Sequence, residues 1–128
     1  MTKLELSKNI NHVAKVAART VGSERKLNFV EGEIYDNRGN AESWECDSDS
    51  SFSVEMDYGY EYTFIVKDLP CYKVDYDNEE EVEMLSASHG EGEVLVHPST
   101  KMRIVRVATD FDYEEMGYYE IHLELVNA

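Results

Sequence analysis

Between residues 52 and 67 apolar and polar positions alternate along the chain. Phe52, Val54, Met56, Tyr58, Tyr60, Tyr62, Phe64 and Val66 are interleaved with Ser53, Glu55, Asp57, Gly59, Glu61, Thr63, Ile65 and Lys67. Successive side chains of an extended strand point to opposite faces, so this period of two predicts β-structure. A single strand of that length is unusual. Gly59 is the natural place for a bend, bulge or hairpin tip, and Pro70 is expected to close the segment.

The opening of the chain has a different period. Ile10, Val13, Ala14, Ala17 and Val21 fall at helical spacing, with Ser7 as a fair N-cap and Gly22 as a stop, which predicts a helix. A strand is expected over Leu27–Tyr35, ended by the turn-forming run Asp36-Asn37-Arg38-Gly39-Asn40. Residues 75–83 read as an acidic loop or the start of a short helix. Strands follow at Glu93–Val96, at Lys101–Val107 with a phase slip near Val105 as at a bulge, and at Tyr118–Val126. In the last of these Tyr119, Ile121, Leu123 and Leu125 face inward. One or two helices and five to seven strands make an α+β fold: a single domain spanning residues 1–128, mainly antiparallel β-sheet with one or two N-terminal helices.

Composition narrows the class. The chain has 128 residues, 42% hydrophobic and 11% aromatic, enough for one real core. No apolar run is long enough to span a bilayer, and the N-terminus lacks the apolar stretch of a secretion signal, so a cytoplasmic protein is expected. Cys46 and Cys71 are too few and too far apart for a zinc or redox motif, and two free thiols are expected in a reducing cytosol. His12, His89, His97 and His122 lack metal-ligand spacing, and no metal is expected.

Twelve basic residues against twenty-seven acidic ones leave a net charge of −15. Such a field repels nucleic acids and anionic membranes and attracts a basic protein surface. The expected partner is therefore a protein target with a basic surface, with no direct nucleic acid and no membrane.

Candidate chemistry centres on Glu91-Gly92-Glu93. Glu-x-Glu alone is weak in so acidic a chain, and it recurs at Glu31-Gly32-Glu33 and Glu79-Glu80-Glu81. The surroundings distinguish this copy. Residues 91–105 read EGEVLVHPSTKMRIV, two glutamates entering a strand, a proline turn and a basic-apolar strand. A closing strand follows as YYEIHLELV. Over about residues 84–126 this resembles the ADP-ribosyltransferase superfamily, specifically its Glu-x-Glu class.

The resemblance implies an ADP-ribosyltransferase-like fold and NAD as substrate. It puts Glu93 beneath the ribose, where its carboxylate stabilises the oxocarbenium charge that develops as nicotinamide leaves. Two residues earlier on the same face, Glu91 would orient or deprotonate an acceptor guanidinium. The family's phosphate-holding arginine maps best to Arg19, with Arg25 and Arg38 as fallbacks. Its serine motif maps to Ser51-Phe52-Ser53. In a competing register only Ser43 of that motif remains, and Phe52 becomes an aromatic stacking on nicotinamide. The implied activity is transfer of ADP-ribose from NAD to an arginine of a protein, as in an intracellular or phage-encoded effector. The charge supports a different class, an acidic non-enzymatic binding protein or nucleic-acid-mimicking inhibitor, and a structural subunit is a third. A concave site in which Glu93, a serine and an arginine converge separates the enzyme from the others.

Overall fold

The computed structural model of the protein describes residues 2–35, 37, 39–46, 59–75, 77–85 and 93–126. In chain order the elements are α1 (Lys3–Ser7), β1 (His12–Ser23), β2 (Ile34–Tyr35), β3 (Glu42–Cys46), β4 (Tyr60–Lys73), α2 (Glu79–Leu85), β5 (Glu93–Val96), β6 (Met102–Val107), α3 (Asp110–Met116) and β7 (Tyr119–Leu125). The strands form one sheet in the order β1-β3-β5-β4-β7-β6-β2, and β1 also pairs with β4. That last pairing closes β1, β3, β5 and β4 into a small barrel, from which β7, β6 and β2 continue as an open sheet. All pairings are antiparallel except β4 with β7.

The expected opening helix is instead a strand. Only the five residues of α1 are helical, and β1 pairs with β4 from His12↔Cys71 to Ser23↔Tyr60. Val13, Val16, Thr20 and Val21 are β-branched and stiff at χ1, which favours the pleated backbone. Two residues of the apparent helical stripe, Ile10 and Val13, are 56% and 54% exposed. Gly22 does not stop the element but pairs with Glu61 inside it. Tertiary pairing here overrides a periodicity that fitted a helix.

Leu27–Tyr35 is strand only at Ile34 and Tyr35. The Tyr62 hydroxyl accepts from Leu27 N at 2.6 Å and lies 3.3 Å from Leu27 O, so a side chain serves backbone groups that a strand would pair. Phe29 packs edge-on against Tyr62 and Phe64. The alternating segment is strand from Tyr60 onward, preceded by a bend at Gly59. Its first part, residues 52–58, lies outside the described residues. Pro70 does not end it: β4 continues to Lys73, with Asp68 in the left-handed region (φ 54) just before Leu69 and Pro70.

The C-terminal expectations hold closely. β5, β6 and β7 fall where the pattern placed them, with the register slip between Ile104 and Arg106. The intervening α3 was not anticipated, although its signal is local. Thr109 and Asp112 form a capping box, and Gly117 closes the helix at φ 82.

The main core joins the inner faces of both parts of the sheet through Trp44, Tyr62, Phe64, Val66, Val94, Val96, Met102, Ile104, Ile121 and Leu123. A second cluster, Leu6, Val74 and Leu95, seats α1 on the outside of the barrel. Cys46 and Cys71 are buried, and neither is in a disulfide. Among the described residues no helix is long and apolar enough to cross a membrane.

Candidate active site

Glu93 is the first residue of β5, a strand whose four residues are all buried. Val94 and Val96 belong to the main core, whereas Leu95 packs with Leu6 of α1 and Val74. Alternation puts Glu93 on the Leu95 side. At 9% exposure the residue as a whole is largely buried. Directly opposite, on β3, is Glu45, and Ser43 lies opposite Leu95. Glu45 is exposed and is itself opposite Ala18 of β1. Glu91 lies outside the described residues, as do Ser51, Phe52 and Ser53.

Arg19 is on β1, half-buried. Its Nη1 donates to the Ser43 carbonyl at 3.1 Å, and its Nε lies 3.3 Å from Glu42 Oε2. The Tyr35 hydroxyl donates to the same Glu42 oxygen at 2.8 Å. Burial, and then the Glu42 carboxylate, push the Tyr35 phenol well above its ordinary value, so it stays a donor. Tyr35 packs against Trp44, which places this cluster on the Trp44 side of the sheet.

Arg19 and Glu93 thus lie on strands that both flank β3, but alternation directs them to opposite faces, so the expected convergence of Arg19 with Glu93 is not met. Of the fallbacks, Arg25 is exposed beyond the end of β1 and Arg38 lies outside the described residues. The sequence reading missed Glu42, Tyr35 and Glu45. Glu42 and Ser43 alternate across a five-residue strand too short to show a period.

Arg19→Ala is expected to destabilise the fold by about 1–3 kcal/mol. It would leave a buried carboxylate with, among the described residues, the Tyr35 phenol as partner, at a cost reduced because Arg19 is 31% exposed. A shift of the urea midpoint measures it. An unchanged midpoint would mean the ion pair contributes nothing.

No protein-family model matches the sequence, and no curated protein matches it at a significant level. Solved structures do match. The type III effector XopAI from Xanthomonas axonopodis pv. citri superposes with TM-score 0.55 at 13% identity, covering 97% of this chain and 44% of the effector. C3larvin, an ADP-ribosyltransferase toxin from Paenibacillus larvae, gives 0.53 at 16% identity, covering 98% of this chain and 68% of the toxin. ADP-ribosyltransferase Vis, from Vibrio splendidus and solved with agmatine, gives 0.51 at 19% identity, covering 90% and 50%. The chain has an ADP-ribosyltransferase-like fold.

It spans about half the length of XopAI and Vis. Within this ADP-ribosyltransferase-like fold a separate cleft of about 330 Å³ lies between residues 26–29 and the start of α3, with Phe29, Tyr62 and Tyr119 on its walls. At its mouth Lys26 Nζ donates to Asp110 at 2.7 Å, and the Tyr119 hydroxyl donates to the same oxygen at 2.6 Å. Hydrogen bonds from Lys26 and then Tyr119 hold the Asp110 carboxyl below its ordinary value. A depressed carboxyl pKa favours the fold at neutral pH, and that contribution fades as acid protonates the group. This latch ties the irregular segment 24–33 to α3. Among the described residues no group of three His, Cys, Asp or Glu side chains could hold a metal ion.

Proposed function

We propose that this protein is a small NAD-dependent mono-ADP-ribosyltransferase that modifies an arginine of a protein target. The observation that carries the reading is Glu93, a carboxylate sequestered at the first position of β5 in an ADP-ribosyltransferase-like fold. Cleavage of the bond between ribose C1′ and nicotinamide leaves positive charge on the sugar. A preorganised carboxylate in a water-poor site stabilises that charge where it develops. Glu91, two positions earlier, and the serines of residues 51–53 are assigned supporting roles through the sequence resemblance. Arg19 is assigned chiefly to the fold, because Glu42 and the Ser43 carbonyl already engage its guanidinium.

The arginine preference draws on the Glu-x-Glu spacing and on Vis, whose structure holds agmatine, a guanidinium compound. The net charge of −15 favours a target with a basic surface.

The test is incubation of the unaltered protein with labelled NAD and a cell lysate, followed by peptide mapping of labelled proteins. Label on arginine side chains, with nicotinamide released in step, is the expected result. Absence of both would overturn the reading. The surface charge carries a second reading, non-enzymatic capture of a basic protein, which predicts salt-sensitive binding without nicotinamide release.

A further inference from the structure

We propose that the aromatic cleft between residues 26–29 and α3 is a docking site for an arginine side chain of a basic protein partner. It shares with both functional readings above only the expectation of such a partner, and it lies apart from Glu93. Tyr62 is near the first end of β4, whereas β5 pairs with Tyr72 and Lys73 near its last.

At about 330 Å³ the cleft is at the small end for ligand sites, with room for one side-chain head group. Tyr62 and Tyr119 stack in its wall at 5.3 Å and 15°, and Phe29 stands edge-on to Tyr62. A cation already occupies the mouth. Lys26 Nζ lies over the Tyr119 ring, 5.7 Å from its centre, and donates to Asp110 Oδ1. A ring face and a carboxylate converging on one ammonium make a cation site, because the negative face of the ring and the ionised carboxyl act on the same charge.

The resident cation is replaceable. Lys26 is exposed, so water can take over its hydrogen bond when the side chain swings out. The backbone need not follow, since the Tyr62 hydroxyl holds the N–H and carbonyl of Leu27. Lys26 and Tyr119 both donate to Oδ1 of Asp110, and among the described residues Oδ2 takes no hydrogen bond, which gives an arriving group its first acceptor. A guanidinium suits the place. Its planar fork spans both carboxylate oxygens while its face rests on an aromatic ring. The net charge of −15 draws basic surfaces toward the protein, and Phe111, next to Asp110 and 66% exposed, offers the same partner an apolar contact. Tethered Lys26 competes at an effective concentration on the order of millimolar, so a partner held by further contacts displaces it more readily than a free cation does.

Titration with methylguanidinium, followed by NMR shifts of the Ala108, Thr109 and Asp110 amides, provides the test, with uncharged N-methylurea as the isosteric control. Lys26→Ala, which empties the mouth, should bind methylguanidinium about tenfold more tightly than the unaltered protein does. Lys26→Met keeps the apolar stem and should do the same where Lys26→Ala lowers the melting temperature. Adding Asp110→Asn or Tyr119→Leu to either should weaken binding about tenfold, and N-methylurea should shift none of these amides. Binding no tighter in Lys26→Ala and Lys26→Met than in the unaltered protein overturns the inference. So does binding that survives Asp110→Asn undiminished, or that N-methylurea matches. NAD is absent from the titration, so its outcome and that of the nicotinamide-release test are independent.

Discussion

Replacing Glu93 with glutamine is expected to cut nicotinamide release by about a hundred- to a thousandfold, the usual loss when one preorganised electrostatic stabiliser is removed. Glutamine keeps the shape of the side chain and removes only its charge. Because glutamine is isosteric with glutamate and keeps hydrogen-bonding capacity at this buried position, the replacement should lower activity far more than it lowers the melting temperature. Function and stability should therefore separate at this position. A folded Glu93→Gln protein that still releases nicotinamide at the original rate would remove Glu93 from the chemistry. Parallel losses of activity and stability would instead make its role architectural.

Trp44→Ala should be the most damaging change to the fold, at about 3–5 kcal/mol. Trp44 is 1% exposed, packs against Tyr35 and lies in the main core beside the strand that carries Glu93. A loss of that size is a large fraction of the about 5–15 kcal/mol that holds a typical domain together. Since Trp44 is the single tryptophan, its removal also deletes the fluorescence probe, and circular dichroism in urea is the proper measurement. The midpoint should fall with little change in slope. Trp44→Phe should cost less, because a ring still fills most of the space. Were Trp44→Ala to shift the midpoint by the equivalent of less than about 1 kcal/mol, the packing described around β3 would be wrong.

The acidic surface fits either functional reading, so charge alone does not choose between them. Nicotinamide release does, because a protein that only captures a basic partner has no reason to break a bond in NAD.

Local pattern by itself determined the C-terminal strands, their inward faces and the bulge before Arg106. In those strands each turn of alternation is reinforced by nearby turn residues, His97-Pro98-Ser99-Thr100 above all, and the partners β6 and β7 are close in sequence. The same stretch carried the resemblance that named the fold and the position of Glu93. The N-terminal half could not be read this way. Val13, Ala14, Ala17 and Val21 satisfy a helical period and a coiled strand equally well, and the choice is made by pairing with β4, some fifty residues later in the chain. Likewise the backbone N–H and carbonyl of Leu27 are engaged by the Tyr62 hydroxyl rather than by a neighbouring strand, a contact that alternation cannot foresee. The candidate site divides along the same line. Glu93 is marked as a candidate by its neighbours in sequence, whereas the Glu42 carboxylate that pairs with Arg19 came into view only once β3 was seated between β1 and β5. Cross-strand register is a property of the folded sheet, and sequence distance does not encode it.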